Sequence, residues 1–519
     1  ARVLVEELGK AWNDGYDSHE FAFASNMNIT GAGTGSRTGV LLENATGGAT
    51  FRQVNIAGMT EGSFVVAGGA PVVDYAGGTI VNTQNRLLSV ADTTGGVVAL
   101  TANAGQPFID LGTGISVQNA AGDVTLQSSA PGSQAAVISS TEDGIAVSDS
   151  SGTQTFSGVT INAAGTSGAG FAGVNLQNNT GTTNLDDLRI KITAATNTAP
   201  GLLAVDVNAV NIGGTSSVEV SKAAAVSLTN VAAADITLAS VSSTESATNG
   251  LLLDNVGGLF TVTGATTITG AVGPSLAIVD TSGAPRDPSI EFNSVTVTSR
   301  QNIGLLVDGI RGQVQIATLN VSNGASAAGN AVQITDTTDP ADPTGTGSGR
   351  VYINGGTIQG ATGNGLQVQN ALVALSGISI LNSGGQGILA TAGAGQETTV
   401  QVTGSRISAT AGTDAIRLSA EGGGIVNATV TSSQLAAPGE AITALVDATS
   451  ELHLNATGNS GVGGGAPGGD FVLDNLGTLQ IDQASTAALS TANNGVVVSE
   501  PSNPVTVSGT TPPVPPPTP

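Results

Sequence analysis

Gly250–Leu251–Leu252–Leu253–Asp254–Asn255 is a short apolar run closed by an asparagine, and the chain repeats it. Gly39 to Asn44, Gly173 to Asn178, Ala225 to Asn230 and Gly365 to Asn370 fit the same six-place frame. So do Gly201 to Asp206, Ser275 to Asp280, Ala331 to Asp336 and Asp470 to Asn475. Copies starting at Gly304, Gly387, Ala415, Ala441 and Gly495 lack the terminal Asn or Asp. The mean period is about 27 residues, the signature of a solenoid with roughly eighteen repeats.

The second and fourth places of the frame are apolar: Leu251 and Leu253, Leu305 and Val307, Leu366 and Val368, Ile416 and Leu418. This alternation has the period of a strand, not of a helix. Two further short strands follow within each repeat, as at Phe260 to Val262 and Thr266 to Thr269, separated by Gly, Asn and Ser turns. Three strands per coil define an all-β chain forming one right-handed parallel β-helix. About 18 coils at the strand spacing would extend roughly 85 Å. The sixth place suggests what holds coil to coil. Asn44, Asn178, Asp206, Asn230, Asn255, Asp280, Asp336, Asn370 and Asn475 are expected to stack as a buried ladder of amides and acids at one turn.

On these residues the chain resembles right-handed parallel β-helix proteins, a group that includes pectate lyases, phage tailspikes and autotransporter passengers. The resemblance covers most of the chain and implies a fold, because that fold carries enzymes, adhesins and scaffolds alike.

Composition narrows the function. Charged residues make up 10% and aromatics 3%, against 74 glycines, and the net charge is −24. Nucleic acid needs a basic partner, so nucleic-acid binding is excluded, and an anionic membrane surface is disfavoured. No run of eighteen apolar residues exists, so no membrane-spanning helix is expected. There is no cysteine, which in a long exported chain favours a bacterial source over a disulfide-bearing one.

Residues 1–20 contain a helix-like segment, Val3 to Trp12, with Leu4, Leu8, Ala11 and Trp12 on one face. It reads as a cap or docking segment. Residues 21–508 form the β-helix. Residues 509–519 are a proline-rich tail ending Pro515–Pro516–Pro517–Thr518–Pro519. No cap is visible at the C-terminal end, so open strand edges there would favour joining of copies. Thr511 to Pro519 would then lie against another subunit.

Catalytic candidates are few. Asp186, Asp187, Arg189, Ile190 and Lys191 resemble the Asp pair and Arg-Ile-Lys tripeptide of polygalacturonases. In those enzymes the two motifs belong to different coils, and here no Gly-His-Gly accompanies them. Leu188, Ile190 and Ile192 point inward by alternation, which leaves Asp187, Arg189 and Lys191 as an exposed charge cluster. His19 and His453 are the only histidines. Phe51, Phe260 and Phe471 occupy core-like places rather than a sugar-binding platform. Asp336, Asp339 and Asp342 share an acidic loop (residues 336–350) whose oxygens suit Ca²⁺, but a solvated loop is the simpler reading.

The expected function is structural and non-enzymatic: an extracellular bacterial surface protein serving as a filament subunit or adhesin stalk. Catalytic, cofactor and metal residues are expected to be absent. Its partners would be copies of itself, head to tail, and surface polysaccharide. The alternative is a polysaccharide-binding or -cleaving protein of the lyase or tailspike type. A groove with clustered acids and bases on one sheet would favour that alternative.

Overall fold

The computed structural model describes residues 21–512 apart from 23–26, 32–37, 164–169, 194–196, 284–285, 300–302, 324–328, 338–347, 411–412, 464–469, 495, 499–503 and 508–510. The helix expected over Val3 to Trp12 therefore lies outside the described residues, as do Asp339 and Asp342. The described chain is an all-β parallel β-solenoid with one short helix, Thr486–Ala492, here α1. It has about 15 turns rather than about eighteen.

The chain divides into two compact units. One comprises Ala1–Ser246 with Gly258–Phe260, the other Ala247–Gly257 with Thr261–Pro519. In the first unit, Val40 pairs with Phe64, Phe64 with Leu88, Leu88 with Ile115, Ile115 with Ile145 and Ile145 with Val174. Those five steps fill the interval between the Gly39 and Gly173 copies. The column continues through Leu202 to Val226. In the second unit the same place runs Leu251, Leu276, Leu305, Val332, Leu366, Ile388, Ile416, Ile442 and Phe471. Every residue of both columns is fully buried. The frame read from sequence is thus the register of the first sheet.

Each coil adds a second and a third strand. In the first unit Gly48–Arg52, Val72–Ala76, Val97–Ala102 and Asp123–Ser128 pair in parallel in one sheet. Phe108–Asp110, Ala136–Ser139, Val159–Ala163 and Arg189–Ile192 pair in another. The divisions are not uniform. Leu202–Gly213 and Val226–Leu238 run through first and second strands without a break. Pro288–Ser299 pairs with Gln313–Ile316 through its first half and with Leu319–Asn323 through its second.

The first place of the frame is small because the third strand of its own coil leaves it no room. A Cβ on Gly365 would lie 2.3 Å from Ile380 Cγ2, and one on Gly387 would lie 2.4 Å from Ile407 Cγ2. Core aromatics gather where periodicity alone does not place them together. Phe51, Phe64, Tyr75 and Phe108 are buried in the first unit with ring centroids 5.6 to 6.4 Å apart, mostly edge to face. Phe51, Phe260 and Phe471 are core residues, as their strand places require.

The C-terminal end of the second unit departs from expectation. Helix α1 is capped by Ser485, whose hydroxyl accepts from the Ala488 amide at 3.0 Å. Leu489 on α1 is fully buried. Gly458 donates to the Ala492 carbonyl and Asn459 to Asn493 Oδ1. α1 thus sits beside the Gly458–Asn459 turn, and beyond it Val498 bridges Phe471 and Thr506–Val507 pairs with Gln480–Ile481, so strand stacking continues past the helix. Sequence reading misses it because Thr486–Ala492 is short and shows no charged face. The start of the tail also rests on its own chain: Thr511 donates from its amide and hydroxyl to Asp482 at 3.0 and 2.9 Å.

Candidate functional site

The turn after the first strand was the main candidate, and its geometry differs from a uniform buried ladder. Asn44, Asn178, Asp206, Asn230, Asn255, Asp336 and Asn370 all have φ between +50° and +56°. A residue with a Cβ pays a steric cost in that left-handed region, and Asn and Asp bear it best. The frame therefore selects its sixth residue largely for backbone conformation. Asp280 and Asn475 hold the sixth place without that conformation.

Burial at the sixth place varies. Asn255, Asn370 and Asn475 are buried, Asn230 and Asp280 are half-buried, and Asn44, Asn178, Asp206 and Asp336 are exposed. Direct contacts are pairwise. Asn230 Nδ2 donates to Asp206 Oδ1 at 2.9 Å, and Asn370 Nδ2 donates to Asp336 Oδ1 at 2.7 Å. Asn119 and Asp92, which the frame had not included, make the same bond at 2.8 Å. In each pair an amide donates to a carboxylate one coil earlier, so a neutral donor separates successive negative charges.

The buried rung is instead the residue after the left-handed one. Ala120 donates from its amide to Ser150 Oγ at 3.2 Å, and Ser150 to Asn179 Oδ1 at 3.0 Å. Asn179 Nδ2 returns to the Val147 carbonyl. A longer run stands in the second unit. The amides of Ile378, Ser405, Ser433 and Asn459 donate in turn to Ser405 Oγ, Ser433 Oγ, Asn459 Oδ1 and Asn493 Oδ1, at 2.9 to 3.2 Å. Ser432, just before Ser433, is left-handed at φ 51°. Ser150 after Asp149 and Asn179 after Asn178 were an available signal, whereas Ser405, Ser433 and Asn459 follow Gly404, Ser432 and Gly458.

The polygalacturonase-like residues are separated by a turn. Asp187 is left-handed and accepts from the amide and hydroxyl of Thr215 at 2.9 and 3.1 Å. Leu188, Ile190 and Ile192 are buried, while Arg189 and Lys191 are exposed. Lys191 lies 3.1 Å from Glu219 across the sheet, an exposed pair of small energetic weight. Asp186 is exposed as well.

Sequence reading did not single out one polar group in the second unit. Thr399, Asn427 and His453 are register partners on successive coils. Asn427 Nδ2 donates to Glu397 at 2.6 Å, Thr399 donates to the same carboxylate at 3.3 Å, and His453 Nε2 lies 3.6 Å from Glu451. Glu397 is 7% exposed, and burial pushes its carboxyl above the usual range. Both ring nitrogens of His453 are shielded from solvent. An acid beside an imidazole has catalytic chemistry available, but here neither ring nitrogen reaches solvent or, among the described residues, a hydrogen-bond partner.

No protein-family model, curated protein or solved structure matches the chain. Among the described residues no helix is long and apolar enough to cross a membrane.

Proposed function

We propose that this chain is a structural scaffold of the bacterial cell surface, an extracellular stalk of the autotransporter-passenger or adhesin type. The observation that carries this reading is where the polar chemistry goes. Ser150, Asn179, Ser405, Ser433, Asn459 and Asn493 join coil to coil. Export is supported by a cysteine-free, acidic chain. The hydrogen bonds of Thr511 to Asp482 of its own chain support a stalk over a polymerising subunit, because the start of the tail is engaged within the chain rather than on a neighbouring copy.

Light scattering and negative-stain imaging of the purified chain test this. Monomers at micromolar concentration are the expected result. Long filaments would overturn the stalk and restore end-to-end assembly. Protease shaving of intact producing cells tests location, and a chain untouched by external protease would remove the surface assignment.

A further inference from the structure

The outer face of the second unit carries a groove of about 340 Å³ lined by Thr261, Thr263, Glu291, Asn293, Gln315 and Asn354, with Ala317 at its floor. Its size falls within the range of small-molecule sites. Its origin is a single small residue. The Ala317 amide donates to the Phe292 carbonyl, and the Asn354 amide to the Ile316 carbonyl. Asn293, Ala317 and Asn354 therefore follow one another up three successive coils. Where amides stack on adjacent coils they bond to each other, as Asn211 does to Asn184 at 2.8 Å and Asn55 to Asn28 at 2.8 Å. Ala317 interrupts that stacking. It leaves two exposed amides two coil rises apart, about 9.5 Å, facing each other across a methyl group.

The chemistry of the lining selects a ligand. Each amide offers two donors and an acceptor, and each threonine one of each, so the site matches a molecule carrying many hydroxyls. Glu291 supplies the only formal charge among the lining residues, and Gln315 pairs with it in register on the next coil. A carboxylate with no cation beside it in the lining repels anionic ligands. We propose that this groove binds a neutral, hydroxyl-rich saccharide, with Asn293 and Asn354 gripping successive sugar units and Ala317 accepting an apolar sugar face. The site is independent of the stalk reading, since a scaffold and a soluble protein could each carry it.

The test is retention of the full chain on immobilised oligosaccharides: β-1,4-linked glucose, β-1,4-linked N-acetylglucosamine, and α-1,4-linked galacturonate as the anionic probe. Retention on a neutral probe and none on galacturonate is expected. Asn293→Ala combined with Asn354→Ala should weaken retention about tenfold or more, two lost hydrogen bonds. Ala317→Trp, which fills the notch, should abolish it. Thr357→Ala, outside the lining, should leave retention unchanged, and circular dichroism of each variant reports folding. Retention on galacturonate alone, no retention on either neutral probe, or undiminished retention by a folded Ala317→Trp or double-alanine variant would each overturn the proposal.

Discussion

Asn44 isolates the backbone part of the sixth-place preference. It is exposed, its φ is +51°, and no hydrogen bond of its side chain is seen. Asn44→Gly should leave the urea unfolding midpoint nearly unchanged, whereas Asn44→Ala should cost about 1 kcal/mol, because alanine resists the left-handed region. Equal losses in both variants would show that the amide itself matters. Glu397 tests a different term. Its folded carboxyl titrates above the unfolded value of 4.5, chiefly because it is buried. The folded state therefore binds a proton that the unfolded state releases, and stability falls as pH rises from the unfolded value through the raised folded one. Glu397→Gln keeps an oxygen for Asn427 and Thr399 and removes the titration. Its melting temperature should gain on that of the wild type as pH rises through that window, and a constant difference across pH would refute the assignment. Both sites show what a linear reading sees. The sixth-place Asn and Asp were legible because a steric rule repeats at each coil. Glu397 was not, since Asn427 and His453 reach its surroundings only through pairing across intervals longer than any local pattern.

Among the elements, the third-sheet ladder and the terminal helix carry the clearest expectations. Asn459 is fully buried, accepts the Ser433 amide and donates to the Val430 carbonyl. Asn459→Ala should destabilise the second unit by about 1–3 kcal/mol, the cost of leaving those partners unpaired, read by denaturant unfolding. Leu489→Ala on α1 should cost about 2–5 kcal/mol through the cavity it leaves. It should also raise association on light scattering, because the apolar surface that Leu489 buries opens to solvent. Association unchanged from the wild type would refute that exposure. The strands themselves were readable: the second and fourth places of the frame are the inward columns of the first sheet, from Val40 to Val226 and from Leu251 to Phe471. Helix α1 was not. Seven residues without charge or strong periodicity resemble the Thr- and Ala-rich turns around them.

At the scale of the molecule, charge is the dominant collective property. With 38 acidic and 14 basic residues the surface repels copies of itself at neutral pH. Solubility should pass through a minimum near pH 4.1, where the net charge vanishes, and turbidity measured from pH 7 down to 3 checks this. A minimum displaced well above that value would point to strong suppression of carboxylate ionisation beyond Glu397, Asp110 and Asp143, whose carboxyls burial raises. Fold class was legible across the whole chain, because one period recurs over hundreds of residues. The number of coils was close but slightly overcounted, about eighteen against about 15 turns.

The coil-to-coil register has a consequence for how such a chain comes into being. Val40 meets Phe64, Ile145 meets Val174, and Val332 meets Leu366, so each strand finds its partner a few dozen residues away, never at the far end of the polypeptide. Loop closure over so short a span costs little more for a late coil than for an early one. A nascent chain can therefore lay down structure in the order in which it is made, each finished coil serving as the template for the next. The molecule need not wait for its last residue to begin folding, and α1 arrives only after nearly every coil is already in place.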